Sequence, residues 1–383
     1  MGLKELRRIG HWTGSGAALR AGKIEPIEAL RFVAALLVAC YHLQISTSAT
    51  TGTSSIFSVF DHGGGGVDIF FVISGLVIGI SASRAPVFDV RTFAIRRFWR
   101  IVPFYWGVLA ATIGIELLSA RVGVGKPMLE AGNPYYILAS ALLLPIPYQI
   151  MHIAWTLTLE LVFYAVFALA FAKSGLKGAM LAVLAWYLVS VAYVSTPLSQ
   201  ISALFYLGYP VVVEFGFGLA LAWVFLNRRL PFGPVALVLG TAATLGAIFA
   251  PEQAGLSALL GLADLGREFQ FGLPAALLVY GAMATPMRVP GPVMLLGKAS
   301  YMLYLVHSMV YGLALAAAKI LLGVDICATD AGRLALLAAA VVGSVVLCVV
   351  VEQPVLRWSR RFSAHPPSPQ AAAAPVRPAI PAE

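Results

Sequence analysis

Residues 334–351 read LALLAAAVVGSVVLCVVV, eighteen consecutive positions without Asp, Glu, Lys or Arg. A hydrocarbon layer about 30 Å thick is crossed by about 20 helical residues, and only a helix or a closed barrel satisfies its own backbone there. The stretch therefore predicts a membrane-spanning helix over 333–351. Toward the N-terminus the same reading predicts spans at 26–46, 67–83, 101–120, 152–172, 178–194, 204–226, 233–250, 269–286 and 300–322. Composition agrees: 60% of the chain is hydrophobic and 11% charged, whereas a soluble domain carries about 25% charged residues. The expected fold is all-α, a polytopic integral membrane bundle of about ten helices. An ordinary cytosolic enzyme is excluded.

The basic residues give the expected orientation, because short cytoplasmic loops hold the excess of Lys and Arg. With both termini cytoplasmic, the inner segments hold Lys4, Arg7, Arg8, Arg20 and Lys23, then Arg84, Arg91, Arg96, Arg97 and Arg100, Lys173 and Lys177, Arg228 and Arg229, Arg288 and Lys298, and finally Arg357, Arg360, Arg361 and Arg377. Arg121, Lys126, Arg267, Lys319 and Arg333 fall outside, a bias of about four to one. The net charge of +9 is thus topological, not a nucleic-acid groove. The short run Tyr135 to Leu144 is too brief to span and reads as an outer re-entrant or interfacial piece. Residues 1–25 lack the apolar region and cleavage site of a signal peptide and read as a cytoplasmic tail, 26–362 as the membrane domain, and the Pro/Ala-rich 363–383 as a disordered tail. Cys40, Cys327 and Cys348 stand singly, without the spacing of a disulfide framework or a metal site.

Ionisable residues inside spans are costly and mark function by default. Arg31 and His42 lie eleven residues apart, which returns to one helix face and rises about 16 Å; the competing readings are an Arg31 that snorkels and a His42 that only bonds a carbonyl. HGGGGVDIFFVISG, 62–75, places four glycines before a helix bearing Asp68 and Ser74, either as a plain loop, a flexible mouth or a close backbone approach. RTFAIRRFWRIVPFYW, 91–106, sets Arg91, Arg96, Arg97 and Arg100 at the cytoplasmic border, where they either anchor topology or grip phosphates. Glu160 in HIAWTLTLELVFY, 152–164, needs a proton or a basic partner, and Glu214 reads as structural. In SYMLYLVH, Tyr301, Tyr304 and His307 recur every three residues, as an interfacial aromatic belt or as a lining face. In VEQP, 351–354, Pro354 reads as a helix stop behind Glu352.

Taken together, Arg31-x10-His42, GVDIFFVISG (66–75), RRFWRIVPFYW (96–106), WTLTLELVFY (155–164), SYMLYLVH (300–307) and VEQP resemble membrane-bound acyltransferase family 3, the O-acyltransferases that decorate bacterial glycans. The order is kept over about 330 residues, and GVDIFFVISG with WTLTLE is similar to the exopolysaccharide-modifying branch. Two departures stand out: Thr156 replaces a common Ser, and no esterase-like domain follows the bundle, which points to a stand-alone enzyme or a separate partner.

The resemblance implies a multi-pass inner-membrane enzyme that moves an acyl group, commonly acetyl from acetyl-CoA, to a hydroxyl of a glycan or lipid-linked saccharide, with no permanently bound cofactor. It marks His42 as catalytic with Arg31 as its companion. An imidazole that accepts the hydroxyl proton fits that chemistry, as does an acyl-histidine intermediate. Glu160 completes the expected catalytic set if the outer halves of the first and fourth spans touch, so that it can orient His42. Arg91, Arg96, Arg97 and Arg100 are the expected donor-binding residues, and Asp68, Ser74, Trp155, Tyr301, Tyr304 and His307 the expected substrate-lining ones. A carrier or flippase using Arg31, Glu160 and His307 as a substrate or proton path is the rival reading; no metal and no nucleic acid are expected.

Overall fold

The structure is a computed structural model that describes residues 24–51, 55–121, 133–146, 149–194, 196, 208–227, 230–249 and 266–362. The tails 1–23 and 363–383, part of the predicted span 204–226, and the topological residues Lys126, Arg228 and Arg229 lie outside the described residues. Among the described residues the regular structure is all helical. In chain order the α-helices are α1 (Glu25–Thr51), α2 (Gly66–Ser83), α3 (Val90–Arg121), α4 (Pro134–Ala141), α5 (Ala154–Val194), α6 (Val213–Asn227), α7 (Gly233–Phe249), α8 (Arg267–Gln270), α9 (Gly272–Ala284), α10 (Gly291–Leu322), α11 (Asp330–Leu347) and α12 (Gln353–Ser359). Seven helical segments among the described residues are long and apolar enough to cross a membrane. The protein is a multi-pass membrane bundle.

The 41-residue α5 covers two predicted spans, and a straight helix of that length would run about 60 Å, twice the hydrocarbon thickness. Helical geometry breaks at Gly175, whose φ of 62° and ψ of −159° suit glycine alone. Both ends of α5 then reach the same place: the Trp155 ring lies 5.5 Å from that of Tyr209, and a Cβ on the adjacent Gly208 would meet the Tyr193 ring at 2.0 Å. The two arms therefore run antiparallel, with Lys173 and Lys177 at the bend. The shorter α7 and α9 pack on each other so closely that a Cβ on Gly240 would strike the Leu278 backbone at 2.4 Å. Helix α9 prolongs α8, and together 267–284 span about 27 Å. Among the described residues, helices thus lie in each of the ten predicted stretches.

The eight-residue α4, about 12 Å long, cannot cross. It is capped by Asn133 and held by Tyr105 and Trp106, which donate to the carbonyls of Ser140 and Ala141, both at 2.8 Å. Pro354 does not stop the last helix. A π-helical turn over Cys348–Glu352 takes up the lost backbone bond, and Pro354 sits in the first turn of α12, where a missing N–H costs nothing. The glycine run is not a flexible mouth either. A Cβ on Gly63 or Gly66 would come within 2.7 and 2.3 Å of the α1 carbonyls of Leu37 and Ala34, so these glycines let the segment lie directly on α1.

At one end of the bundle the start of α1, the start of α10 and α12 converge: Glu25 accepts from the Val289 amide at 3.1 Å, and Glu352 forms an ion pair with Arg100. This end carries Arg84, Arg97, Arg100, Lys298, Arg357 and Arg360 and is called inner below, after the orientation expected from the basic residues. The opposite, outer end carries Ser55, whose hydroxyl donates to Asp330 at 2.6 Å.

Candidate active site

Three cavities are stacked along α1. The inner one, about 440 Å³, is lined by Glu28, Arg31, Arg100, Lys298, Glu352 and Arg357 among others. A narrower chamber of about 100 Å³ follows and shares Arg31 and Arg100 with it; Ser74, Arg97, Glu160, Tyr164, Tyr301 and Tyr304 complete its polar lining with Thr156. The outer vestibule, about 510 Å³, shares Val67 and Tyr304 with the chamber and contains His42, Asp61, Gln149, His152, Trp155 and Arg267.

In the chamber, three guanidinium groups converge from α1 and α3. Arg97 lies over the rings of Phe93 and Tyr164 at 5.2 and 5.5 Å, and Arg100 over Tyr301 at 5.4 Å while pairing with Glu352. The buried Nε atoms of Arg31 and Arg97 have no hydrogen-bond partner. Donors left unpaired in a concave, water-poor site are set up for an anion. The helix admits only part of the expected cluster: Arg97 and Arg100, three apart, face the chamber, whereas Arg91 and Arg96 are exposed and line none of the three cavities.

Glu160 does not meet His42. Its Oε1 accepts from Ser74 at 2.9 Å and from Tyr164 at 2.5 Å, which keeps the carboxyl on the inner side of the chamber near Arg31 and Arg97. His42 turns instead to His307. His307 Nδ1 lies 2.9 Å from the Leu303 carbonyl, His42 Nδ1 3.0 Å from the Val38 carbonyl, and His307 Nε2 3.1 Å from His42 Nδ1. A carbonyl only accepts, so each Nδ1 carries the hydrogen, and the one hydrogen of His42 Nδ1 is shared between the Val38 carbonyl and His307 Nε2. His42 Nε2 is then the basic nitrogen, and among the described residues it has no hydrogen-bond partner; its ring lines the outer vestibule.

Tyr301, Tyr304 and His307 are all buried within the bundle, so they form a lining face and not an interfacial belt. They mark successive levels. Tyr301 donates to the Ile101 carbonyl at 2.9 Å beside the chamber, and Tyr304 donates to the Ile153 carbonyl at 3.1 Å with its oxygen 2.6 Å from that of Thr156, at the join with the vestibule. His307 stands at the level of His42. Trp155 lines the vestibule, its ring near Phe71 and Tyr209.

Asp68, expected to line the substrate path, is fully buried and committed to Arg267, which donates to both its oxygens at 3.2 and 2.7 Å and to the Gly64 carbonyl at 3.0 Å. Arg267 thereby faces the vestibule as a fixed cation. Sequence reading missed it, although it was one of few basic residues assigned to the outer side. It also missed Glu352 as the partner of Arg100. Glu214 is fully buried, packed against Gly272 and beside the Asp68 carboxyl.

A family model described as an acyltransferase domain matches residues 24–353. The exopolysaccharide production protein ExoZ of Rhizobium meliloti (strain 1021) is 30% identical over 324 residues, covering 79% of this chain and 92% of that protein. The acyltransferase MdmB of Streptomyces mycarofaciens is 28% identical over 394 residues, covering 93% of this chain and 98% of that protein. No solved structure matches the chain.

Proposed function

The chain belongs to the acyltransferase domain family, and from that premise we propose that it transfers an acetyl group from acetyl-CoA, taken up at the inner end, to a hydroxyl of an exopolysaccharide or lipid-linked glycan held in the outer vestibule. The observation that carries this reading is the stack of cavities, joined through Arg31 and Arg100 at one level and Val67 and Tyr304 at the next. Arg31 lines the chamber and His42 the vestibule beyond it, about 16 Å apart along α1. An extended pantetheine arm covers that length, so phosphates gripped by Arg31, Arg97 and Arg100 leave the thioester beside His42.

The acceptor hydroxyl gives its proton to His42 Nε2 as its oxygen attacks the thioester carbonyl. The tetrahedral intermediate collapses, the carbon–sulfur bond breaks, and the imidazolium returns the proton to the departing thiolate. Proton transfer by a positioned side chain contributes about 10²- to 10⁴-fold. In the vestibule Trp155 and Tyr209 offer flat apolar faces, and Asp61, Gln149 and Arg267 offer hydrogen-bonding groups, the pairing that sugar rings use. The ExoZ relative supports an exopolysaccharide as acceptor.

The test is release of free CoA from acetyl-CoA by purified protein in detergent, supplied with surface glycan from the producing cell. Wild type releases CoA only when glycan is present, and His42→Ala, accumulating normally, releases none above background. A carrier would release none in either case, and His42→Ala activity near wild type would remove the base.

A further inference from the structure

Val67 and Tyr304 line both the chamber and the vestibule, and of the two Tyr304 alone brings a hydrogen-bonding side chain to the join. Its hydroxyl belongs to a triangle. The Thr156 hydroxyl lies 3.0 Å from the Ile153 carbonyl, the Tyr304 hydroxyl 3.1 Å from the same carbonyl, and the two hydroxyl oxygens 2.6 Å from each other. Two hydroxyls own two hydrogens, so the three contacts cannot all be made at once. A hydrogen must occupy the shortest, because two oxygens facing each other at 2.6 Å without one repel. With Thr156 supplying it, the Tyr304 hydrogen goes to the carbonyl at 3.1 Å, beyond the usual O–H···O range of about 2.5–3.0 Å. That bond is the weakest of the three and the first to yield to a better acceptor. Holding α10 against α5 needs only the bond from Tyr304 to the carbonyl, not a second hydroxyl pressed against it.

We infer that Tyr304 is a catalytic residue whose hydroxyl donates to the oxyanion of the tetrahedral intermediate, with Thr156 as the positioning residue that donates to Tyr304 meanwhile. The inference rests on the acyl-transfer reading above and adds a group that reading lacks. Tyr304 precedes His307 by three residues on α10, about 4.5 Å along the axis, with ring centres 6.2 Å apart. The His307 ring lies 4.9 Å from that of His42. The donor comes from the chamber and the acceptor hydroxyl from the vestibule, so the thioester carbonyl stands between Tyr304 and His42. As the acceptor oxygen bonds to the carbonyl carbon, its proton passes to His42 Nε2 and the C=O π pair moves onto the carbonyl oxygen. Tyr304 keeps its proton and turns its O–H from the Ile153 carbonyl to that oxygen. Thr156 donates to the phenol oxygen, and hydrogen bonds in a chain polarise one another, which strengthens Tyr304 as a donor. Collapse returns the pair to the C=O and breaks the C–S bond, and the thiolate takes the proton from His42. The Phe70 ring meets Tyr304 edge-on at 5.9 Å and, with Val67, walls the join with carbon, the setting in which such a donor acts most strongly.

Glycan-dependent CoA release by the purified full chain, and its inhibition by acetonyl-CoA and trifluoroacetonyl-CoA, make the test. The first is a ketone that mimics the thioester; the second, hydrated at its carbonyl, mimics the tetrahedral intermediate. Tyr304→Phe deletes one oxygen and should lower kcat about 10²- to 10³-fold with KM for acetyl-CoA held, the cost of one oxyanion donor. Wild type should bind the trifluoro ketone at least about tenfold better than the plain one. Tyr304→Phe should lose that preference with Ki for acetonyl-CoA unchanged. A hydroxyl that only held α10 to α5 would shift both inhibitors alike, which overturns the assignment. Thr156→Val should lower kcat about fivefold, and Thr156→Ser, which keeps the hydroxyl, should recover most of that loss. Wild-type kcat in Tyr304→Phe, or a preference for the tetrahedral analogue that survives it, places the oxyanion on another donor. Should Tyr304→Phe not accumulate, the Thr156 pair decides, and equal kcat for Thr156→Val and wild type overturns the assignment. If wild type releases no CoA with glycan present, the acyl-transfer reading itself falls, and the assignment with it.

Discussion

His307 Nε2 lies 3.1 Å from His42 Nδ1 and shares its hydrogen with the Val38 carbonyl, and the Leu303 carbonyl in turn fixes which nitrogen of His307 can accept. Two helices far apart in sequence thus lock a single tautomer of the proposed base. When His42 takes a proton at Nε2, the charge on its ring is shared with a neutral acceptor already in line. His307→Phe keeps the ring and removes the acceptor; it should lower kcat about 10²-fold while KM for acetyl-CoA holds. His307→Gln, whose amide oxygen reaches the Nε2 position, should recover most of that loss. Equal kcat for wild type and the Phe variant would leave His307 with a packing role only.

The chamber arginines should separate from their neighbours on α3. Arg31→Lys and Arg97→Lys keep the charge but lose the planar fork, so each should raise the apparent KM for acetyl-CoA several-fold. Arg91→Lys, on an exposed position, should leave donor dependence unchanged. Initial rates across a range of donor concentration decide it, and unchanged KM in both chamber variants would move the donor elsewhere.

Glu352 is 1% exposed and paired with Arg100 across 252 positions of sequence. Removing one member strands the other in a poorly solvated place, a loss of roughly 3 kcal/mol. Glu352→Leu should therefore lower the thermal midpoint in detergent. Arg100→Met combined with Glu352→Leu should recover much of it, because apolar pairs of similar volume replace buried ion pairs well. Activity should stay low in the double variant, since Arg100 also faces the donor. Recovery of both properties together would make Arg100 purely structural.

The bend at Gly175 places residue 174 on the inner side between two antiparallel arms. Reporter fusions after Ser174 should report cytoplasm, and fusions after Thr196 or Ala328 should report the opposite side. An outer label at Ser174 would undo the hairpin and reverse every later span.

Much of this fold was legible because hydropathy reports directly on which stretches are apolar helices. The stretch 334–351, Lys173 and Lys177 at the bend, and the brevity of Tyr135 to Leu144 sufficed for the helices and their order. Which helices touch was not legible. In a soluble helix the polar stripe betrays the buried face, but a lipid-facing surface is as apolar as the core, so periodicity does not tell the two apart. Glu160 was accordingly expected beside His42, whereas it bonds Ser74 and Tyr164. Asp68 was read as lining the path because its partner Arg267 lies 199 positions away. Pro354 misled for a local reason: the π turn before it absorbs what a proline ordinarily breaks.

The central claim is that donor and acceptor approach His42 from opposite sides of the membrane. Acetyl-CoA does not cross bilayers, so sealed vesicles from producing cells test it directly. Radiolabelled acetyl-CoA added outside inside-out vesicles should label glycan within the lumen. The same donor added outside right-side-out vesicles should label none, and His42→Ala should abolish the first signal. Equal labelling in both orientations, or labelling only in right-side-out vesicles, would contradict the account.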